Sequence, residues 1–292
     1  MALAGINYAL CVAVDLTING IDVLAELTAI FLAVGMMWHT AALLGGSGGS
    51  LSARTADRLG RIAEAIGAFG IWIGFAACVV VLSYACARIG QPLHDESLVA
   101  IDRSLGFDWT GWHHFVTVRV WPAQLLDAAY GTLKMQLIAI LVMSAFSDDR
   151  NRMAEFRWLA MITAIIACVI SGLLPVVGAR PFHHVAGADW IADLLALRNA
   201  GPLQFEVFKM HGIVSLPSYH TALGVIFMWC SRGTGIFGWA LIVLNIVMIV
   251  STLTTGGHYL IDVIAGVALA LGTIAAINYR SGRIIQTEAA RA

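Results

Sequence analysis

Two histidines and an aspartate in the last third of the chain have the types and spacing for covalent and acid–base chemistry. His220 lies in Leu216-Pro217-Ser218-Tyr219-His220-Thr221, and His258 in Thr254-Thr255-Gly256-Gly257-His258-Tyr259. Asp262 follows His258 by four residues, so on a helix the two share a face. A carboxylate beside an imidazole fixes its tautomer and raises its basicity. That pairing suits a histidine that attacks an electrophile while a second histidine handles a proton. Apolar runs at 222–229 and 236–253 separate the two histidines. If these runs cross a bilayer in opposite directions, both histidines return to the same side.

Composition indicates which solvent the positioning elements fold in. Of 292 residues, 59% are hydrophobic and 12% charged, about half the charged share of an ordinary soluble domain. Mean hydropathy is +0.82. These values imply an all-α polytopic membrane protein. A net charge of −1 speaks against a nucleic-acid partner. Cys11, Cys78, Cys86, Cys168 and Cys230 are scattered through apolar runs with no CxxC pair. They read as small buried side chains, with neither a zinc site nor a disulfide framework indicated. No Lys or Arg precedes Arg54, so a cleaved signal peptide with a basic n-region is not expected.

Residues 1–22, interrupted by Asp15, Asn19 and Asp22, read as an interfacial or re-entrant helix. Spans are expected at 23–44, 62–87, 123–146, 158–177, 216–229, 236–253 and 259–277. A Gly/Ser linker is expected at 45–50, long loops at 88–121 and 178–210, and a short charged turn at 147–157. The run at 216–229 is short of the ~20 residues that cross a bilayer, so its upper end is expected to be sunk below the surface, with Pro217 in its first turn. This divides the chain into an N-terminal membrane segment and linker (1–53), a catalytic membrane domain (54–278) and a cytoplasmic tail (279–292). Ten of the seventeen basic residues fall in the short segments of one side: Arg54, Arg58, Arg61, Arg150, Arg152, Arg157, Arg232, Arg280, Arg283 and Arg291. The positive-inside rule makes that side cytoplasmic. Eight of the nine histidines lie on the other side, so the site is expected to face the periplasm or exterior. Short loops and the lack of sorting signals fit a bacterial inner membrane.

Pro217-Ser218-Tyr219-His220 resembles the Pro-Ser-x-His motif of the type 2 phosphatidic acid phosphatase superfamily of membrane enzymes. Ser251, His258 and Asp262 have the spacing of its last motif, Ser-Arg-x5-His-x3-Asp. Arg180-Pro181 resembles the end of its first, Lys-x6-Arg-Pro. The likeness runs from about Arg61 to Asn278. It departs where the motifs carry two cations: Leu173 stands at the Lys position and Thr252 at the Arg position. Loss of both cations with the histidines kept is similar to the branch containing inositol phosphorylceramide and sphingomyelin synthases. Leu105-Gly106-Phe107-Asp108-Trp109 and His258-Tyr259-Leu260-Ile261-Asp262 also look like that branch.

The resemblance implies a six-helix catalytic core, here with one added N-terminal transmembrane helix. It implies that His258 attacks phosphorus while Asp262 orients its ring, and that His220 serves as general acid and then general base. Arg180 would clamp the phosphate bidentately. Gly256-Gly257 would let the backbone approach it, and the following helix N-terminus would offer free amides. Ser218 has two roles open to it, phosphate donor and helix cap. Lys134, mid-span, reads either as a phosphate ligand or as half of an ion pair with Glu64 or Glu26. Arg198, Lys209, His183, His184 and His211 are the other candidate cations. Trp109, Trp112, Trp121 and Trp190 read as interface-belt residues, a headgroup-stacking role being the alternative. His113-His114 and His183-His184 invite a metal reading, but no carboxylate spacing completes a site, and no metal or cofactor is expected. The implied partners are a lipid phosphate or phospholipid substrate and a lipid hydroxyl acceptor. Headgroup transfer is favoured, since a diester brings less charge to a site short of cations. The alternatives are a lipid phosphate or polyprenyl diphosphate phosphatase, and a non-catalytic lipid-binding or transport protein on the same scaffold.

Overall fold

The computed structural model describes residues 2–47, 52–146, 150–187, 190–199 and 201–289. The chain is an all-α polytopic membrane protein. It opens with α1 (Ala2–Ala13), a short strand β1 (Leu16–Asn19), α2 (Ile21–Ser47) and α3 (Ala53–Arg88). Then come the short helices α4 (Asp95–Ser104), α5 (Trp109–Thr117) and α6 (Val120–Gly131), followed by α7 (Leu133–Phe146) and α8 (Arg150–Leu173). α9 (Ala179–Phe182), α10 (Trp190–Leu197), β2 (Leu203–Glu206) and a 3-10 turn lead to α11 (Tyr219–Ser231), α12 (Gly235–Ser251) and α13 (Leu260–Ala289).

Among the described residues four helices are long and apolar enough to cross a membrane: Ile21–Leu44, Arg54–Arg88, Ala154–Leu173 and Leu260–Tyr279. The other expected spans differ in form. The run at 123–146 is broken between α6 and α7, where the Thr132 hydroxyl and amide both turn back onto the Ala129 carbonyl at 2.6 and 3.2 Å. α11 has 13 residues, short of a full bilayer crossing, and α12 has 17, at the lower end of the spanning range. Pro217 lies outside α11, ahead of the N-cap Ser218, whose side chain accepts the Thr221 amide.

Both expected long loops contain helices. Residues 88–121 hold α4 and α5, and residues 178–210 hold α9, α10 and β2. β2 pairs in parallel with β1, Leu16 opposite Leu203. The segment expected to be interfacial or re-entrant is thus a helix and a strand tied into the protein, with the Asn7 side chain donating to the Cys78 carbonyl of α3 at 2.7 Å. Of the expected linker, residues 45–47 are helical and 48–50 lie outside the described residues. Of the expected turn at 147–157, residues 150–157 belong to α8 and 147–149 lie outside the described residues. α13 continues through the expected tail as far as Ala289.

The membrane core is built where α3, α8, α11 and α13 meet. Phe156 stacks between Trp72 and Phe227, and Leu159, Ala222, Ile226 and Ala270 close around them. A polar pair lies in the interior: the Asn245 amide on α12 donates to Gln136 on α7 at 2.6 Å. In hydrocarbon such a pair holds its helices because the alternative is an unsatisfied dipole. The first turn of α11 is set against α13 at Gly266, where any Cβ would drive into the Ser218 carbonyl. The glycine therefore sets how closely the two histidine-bearing ends approach.

Candidate active site

The loop from α12 to α13 carries His258, and the first turn of α11 carries His220. The Ser218 amide donates to the Asp262 carbonyl at 3.0 Å, joining the two helix starts. The two imidazoles lie within electrostatic reach of each other. His258 is buried and His220 half-buried.

Nδ1 of His258 is 3.3 Å from Oδ2 of Asp262. The same oxygen accepts the Ser215 hydroxyl and the Tyr259 amide, both at 3.1 Å. The carboxylate is thus locked by two further donors, and its other oxygen, Oδ1, is buried without a partner. With Nδ1–H directed at Asp262, the Nε2 lone pair of His258 is left for chemistry. His220 is held by a parallel stack on Tyr130 of α6, ring centroids 4.7 Å apart.

Arg180, on α9, is pinned by two backbone carbonyls. Its Nε donates to Thr254 and its Nη1 to Gly187, each at 3.0 Å. Among the described residues Nη2 has no partner. Gly257 makes room for this side chain: its φ is +65°, and a Cβ there would lie 2.9 Å from Cγ of Arg180. The Ala179 amide donates to the Gly257 carbonyl at 2.8 Å, tying the arginine's helix to the histidine's loop. Arg180, His220 and the His258–Asp262 pair are therefore brought to one neighbourhood from three separate stretches.

Several expectations need correction. The amides around His258 are not free: those of Gly257 and His258 donate to Thr254 and Thr252 carbonyls, and those of Leu260 and Ile261 to the Asp102 carboxylate. Among the described residues the amides of Tyr219 and His220, at the start of α11, have no partner, and neither has that of Arg180 on α9. Lys134 is exposed on α7 and, among the described residues, forms no ion pair with Glu26 or Glu64. Lys209 pairs with Glu206 at 2.7 Å, and His211 with Asp193 at 2.9 Å. Trp109 is not a belt residue. It is 3% exposed, and its Nε1 donates to the Leu253 carbonyl at 2.8 Å. Ser218 accepts both the Thr221 amide and, at 3.1 Å, the Thr221 hydroxyl, so its capping role is filled. Neither missing cation is replaced in place: Leu173 is exposed, and Thr252 is buried with its hydroxyl on the Ile249 carbonyl.

Two residues that the sequence reading passed over hold the site's loops. Asp95 and Asp102 lie seven apart on α4, hence on one face, and both are buried. Asp95 accepts the amides of Val177 and Gly178 and, at 2.9 Å, the Tyr259 hydroxyl. It thereby fixes the approach to Arg180 and the residue after His258. Asp102 caps α13. Burial pushes its carboxyl up, and the Leu260 and Ile261 amides pull it back. The signal in the sequence is the pair itself, two acids on the apolar side of a short amphipathic helix.

A family model described as the PAP2 superfamily matches residues 96–276, well over half of the chain, from α4 into α13. The matched segment starts after α3, later than the resemblance suggested. No curated protein and no solved structure matches the chain.

Proposed function

The chain belongs to the PAP2 superfamily, and from that premise we propose that it is a lipid phosphotransferase working through a phosphohistidine at His258. Nε2 of His258 attacks the phosphorus of a phospholipid. The bond from phosphorus to the leaving oxygen breaks as His220 gives that oxygen a proton. Arg180 Nη2 and the amides of Tyr219 and His220 hold the phosphate oxygens. In the second half, His220 takes the proton of an acceptor hydroxyl, whose oxygen attacks phosphorus and releases His258. The acceptor is a second lipid's hydroxyl. Asp262 holds the ring of His258 and balances the positive charge that it carries as intermediate.

The observation that carries this reading is the contact of His258 Nδ1 with Asp262 Oδ2, because it leaves Nε2 as the one ring nitrogen able to attack. The lean to transfer over hydrolysis rests on Leu173 and Thr252. A diester headgroup carries about one negative charge fewer than a monoester at neutral pH, and so asks for fewer cations. By the positive-inside count the site opens on the side away from the cytoplasm, the periplasmic side of a bacterial inner membrane.

The test is a substrate panel with the purified full chain in detergent. Phosphatidic acid is offered alone, and phosphatidylinositol with ceramide or diacylglycerol. Headgroup transfer to the acceptor outpacing phosphate release is the expected result. Rapid phosphate release from phosphatidic acid without transfer would assign a phosphatase instead. A His258→Ala protein that keeps its activity would leave only the non-catalytic reading.

A further inference from the structure

Beside Arg180 lies a stack of three rings. The Trp109 indole is sandwiched between His113, one turn on along α5, at 4.9 Å, and His183 of the α9 end at 5.3 Å. The indole hangs from the Leu253 carbonyl and the Arg180 guanidinium from the next carbonyl, that of Thr254. Consecutive carbonyls of the loop leading to His258 therefore set the stack and the arginine side by side. Nε2 of His113 is buried and has no hydrogen-bond partner. A buried ring nitrogen without a partner costs free energy unless something fills its place.

Resting on the reading above, we propose that His113 is a ligand of the substrate phosphate, donating from Nε2 as an imidazolium and supplying part of the positive charge that Leu173 and Thr252 leave out. Trp109 is the positioning residue, since its face fixes the plane of the ring. Burial and then the nearby Arg180 hold the His113 imidazole below its ordinary value, which favours its neutral form. A phosphate between it and Arg180 reverses the local field, and the ring takes up a proton. The other charged and titratable groups around the stack are His114 on the same helix, His183 and His184 beyond the indole, and Asp108 and Arg103 beside His183. His220 and His258 are further imidazoles of the same site, so the comparison must be between wild type and a His113 variant.

Proton uptake on binding makes an anion bind more tightly as pH falls. Tungstate, a tetrahedral dianion, serves as the probe, with binding to the full chain in detergent followed by calorimetry between about pH 8 and pH 6. Wild type is expected to bind several-fold tighter at the lower pH. His113→Gln keeps a donor but cannot titrate, so its pH slope flattens and its affinity at the lower pH falls about tenfold. Should His113→Gln fail to fold, His113→Asn takes its place in the same comparison, and the wild type gives a one-sided check: its binding enthalpy, compared across buffers of different ionisation enthalpy, must reveal a proton taken up. A variant with wild-type affinity and slope, or a wild type that takes up no proton, overturns the role of His113 alone. A wild type that binds no tungstate at any pH overturns the phosphate site itself, and with it the function proposed above.

Discussion

Asp102 caps α13 from another helix: its two carboxylate oxygens accept the amides of Leu260 and Ile261 at 2.8 and 2.9 Å. The cap lies 158 residues before the helix that it closes. It fixes the turn that carries His258 and Asp262, and it takes up the amides that a phosphate could have used there. The phosphate is thereby left to Arg180, to the start of α11 and, on our inference, to His113.

Removing that cap should loosen the site as well as the fold. Asp102→Ala leaves two helix-end amides without an acceptor, at a cost of about 2 kcal/mol. Thermal unfolding in detergent should show a lower Tm, and turnover should fall with it. Asp102→Asn, which keeps one acceptor, should fall between the two. An Asp102→Ala protein with unchanged Tm and turnover would mean that the cap plays no part in holding the site.

The approach of α11 to α13 is tested at Gly266. Its missing Cβ leaves room for the Ser218 carbonyl, so Gly266→Ala must push the His220 turn away from His258. A displacement of about 1 Å can cost about 100-fold in rate. The expected readout is a large loss of kcat in a protein that still purifies as a folded species. Gly272→Ala is the comparison, because nothing lies within 4 Å of its Cβ position. Equal effects of the two substitutions would remove helix spacing as the cause.

What could be read from the sequence was what is local. His258 and Asp262 are four residues apart, and one helical turn makes that a contact. Arg180-Pro181 and Pro217-Ser218-Tyr219-His220 carry their significance in adjacent residues. The capping by Asp102 and the clamp by Asp95 were not legible, because their partners are backbone amides and a phenol far along the chain, and amides have no sequence. Trp109 was misread for a related reason. An indole in a membrane protein serves equally well at the lipid boundary or in the interior, and only the Leu253 carbonyl decides. Lys134 left two roles open because a cation in an apolar run says that it is expensive, not which way it points.

Asp262→Asn tests the orientation of His258. The amide cannot match a carboxylate that takes Ser215, the Tyr259 amide and Nδ1–H together. Turnover should drop about 10²–10⁴-fold, with KM changed far less. A KM effect with kcat intact would assign Asp262 to substrate binding.

Stability should depend on pH through His183. Burial, foremost, holds this imidazole below the ordinary value of 6.5. A histidine with a depressed folded pKa contributes its stability fully above 6.5 and loses it as pH falls from there through the lowered folded value, because the unfolded chain takes up the proton first. Tm should therefore fall as the solution is acidified below about pH 6.5, and His183→Gln should flatten that fall. A variant as acid-sensitive as wild type would assign the effect elsewhere.

The most direct test of the account is to trap the covalent intermediate. Purified protein is mixed with a phospholipid labelled at phosphorus in the absence of acceptor lipid, quenched in alkali, and its peptides are read by mass spectrometry. We predict an alkali-stable, acid-labile adduct on the peptide containing His258, absent from His258→Ala and formed more slowly in His220→Gln, which lacks the acid for the leaving oxygen. Turnover of the labelled lipid with no histidine adduct, or with the label on another residue, would contradict it.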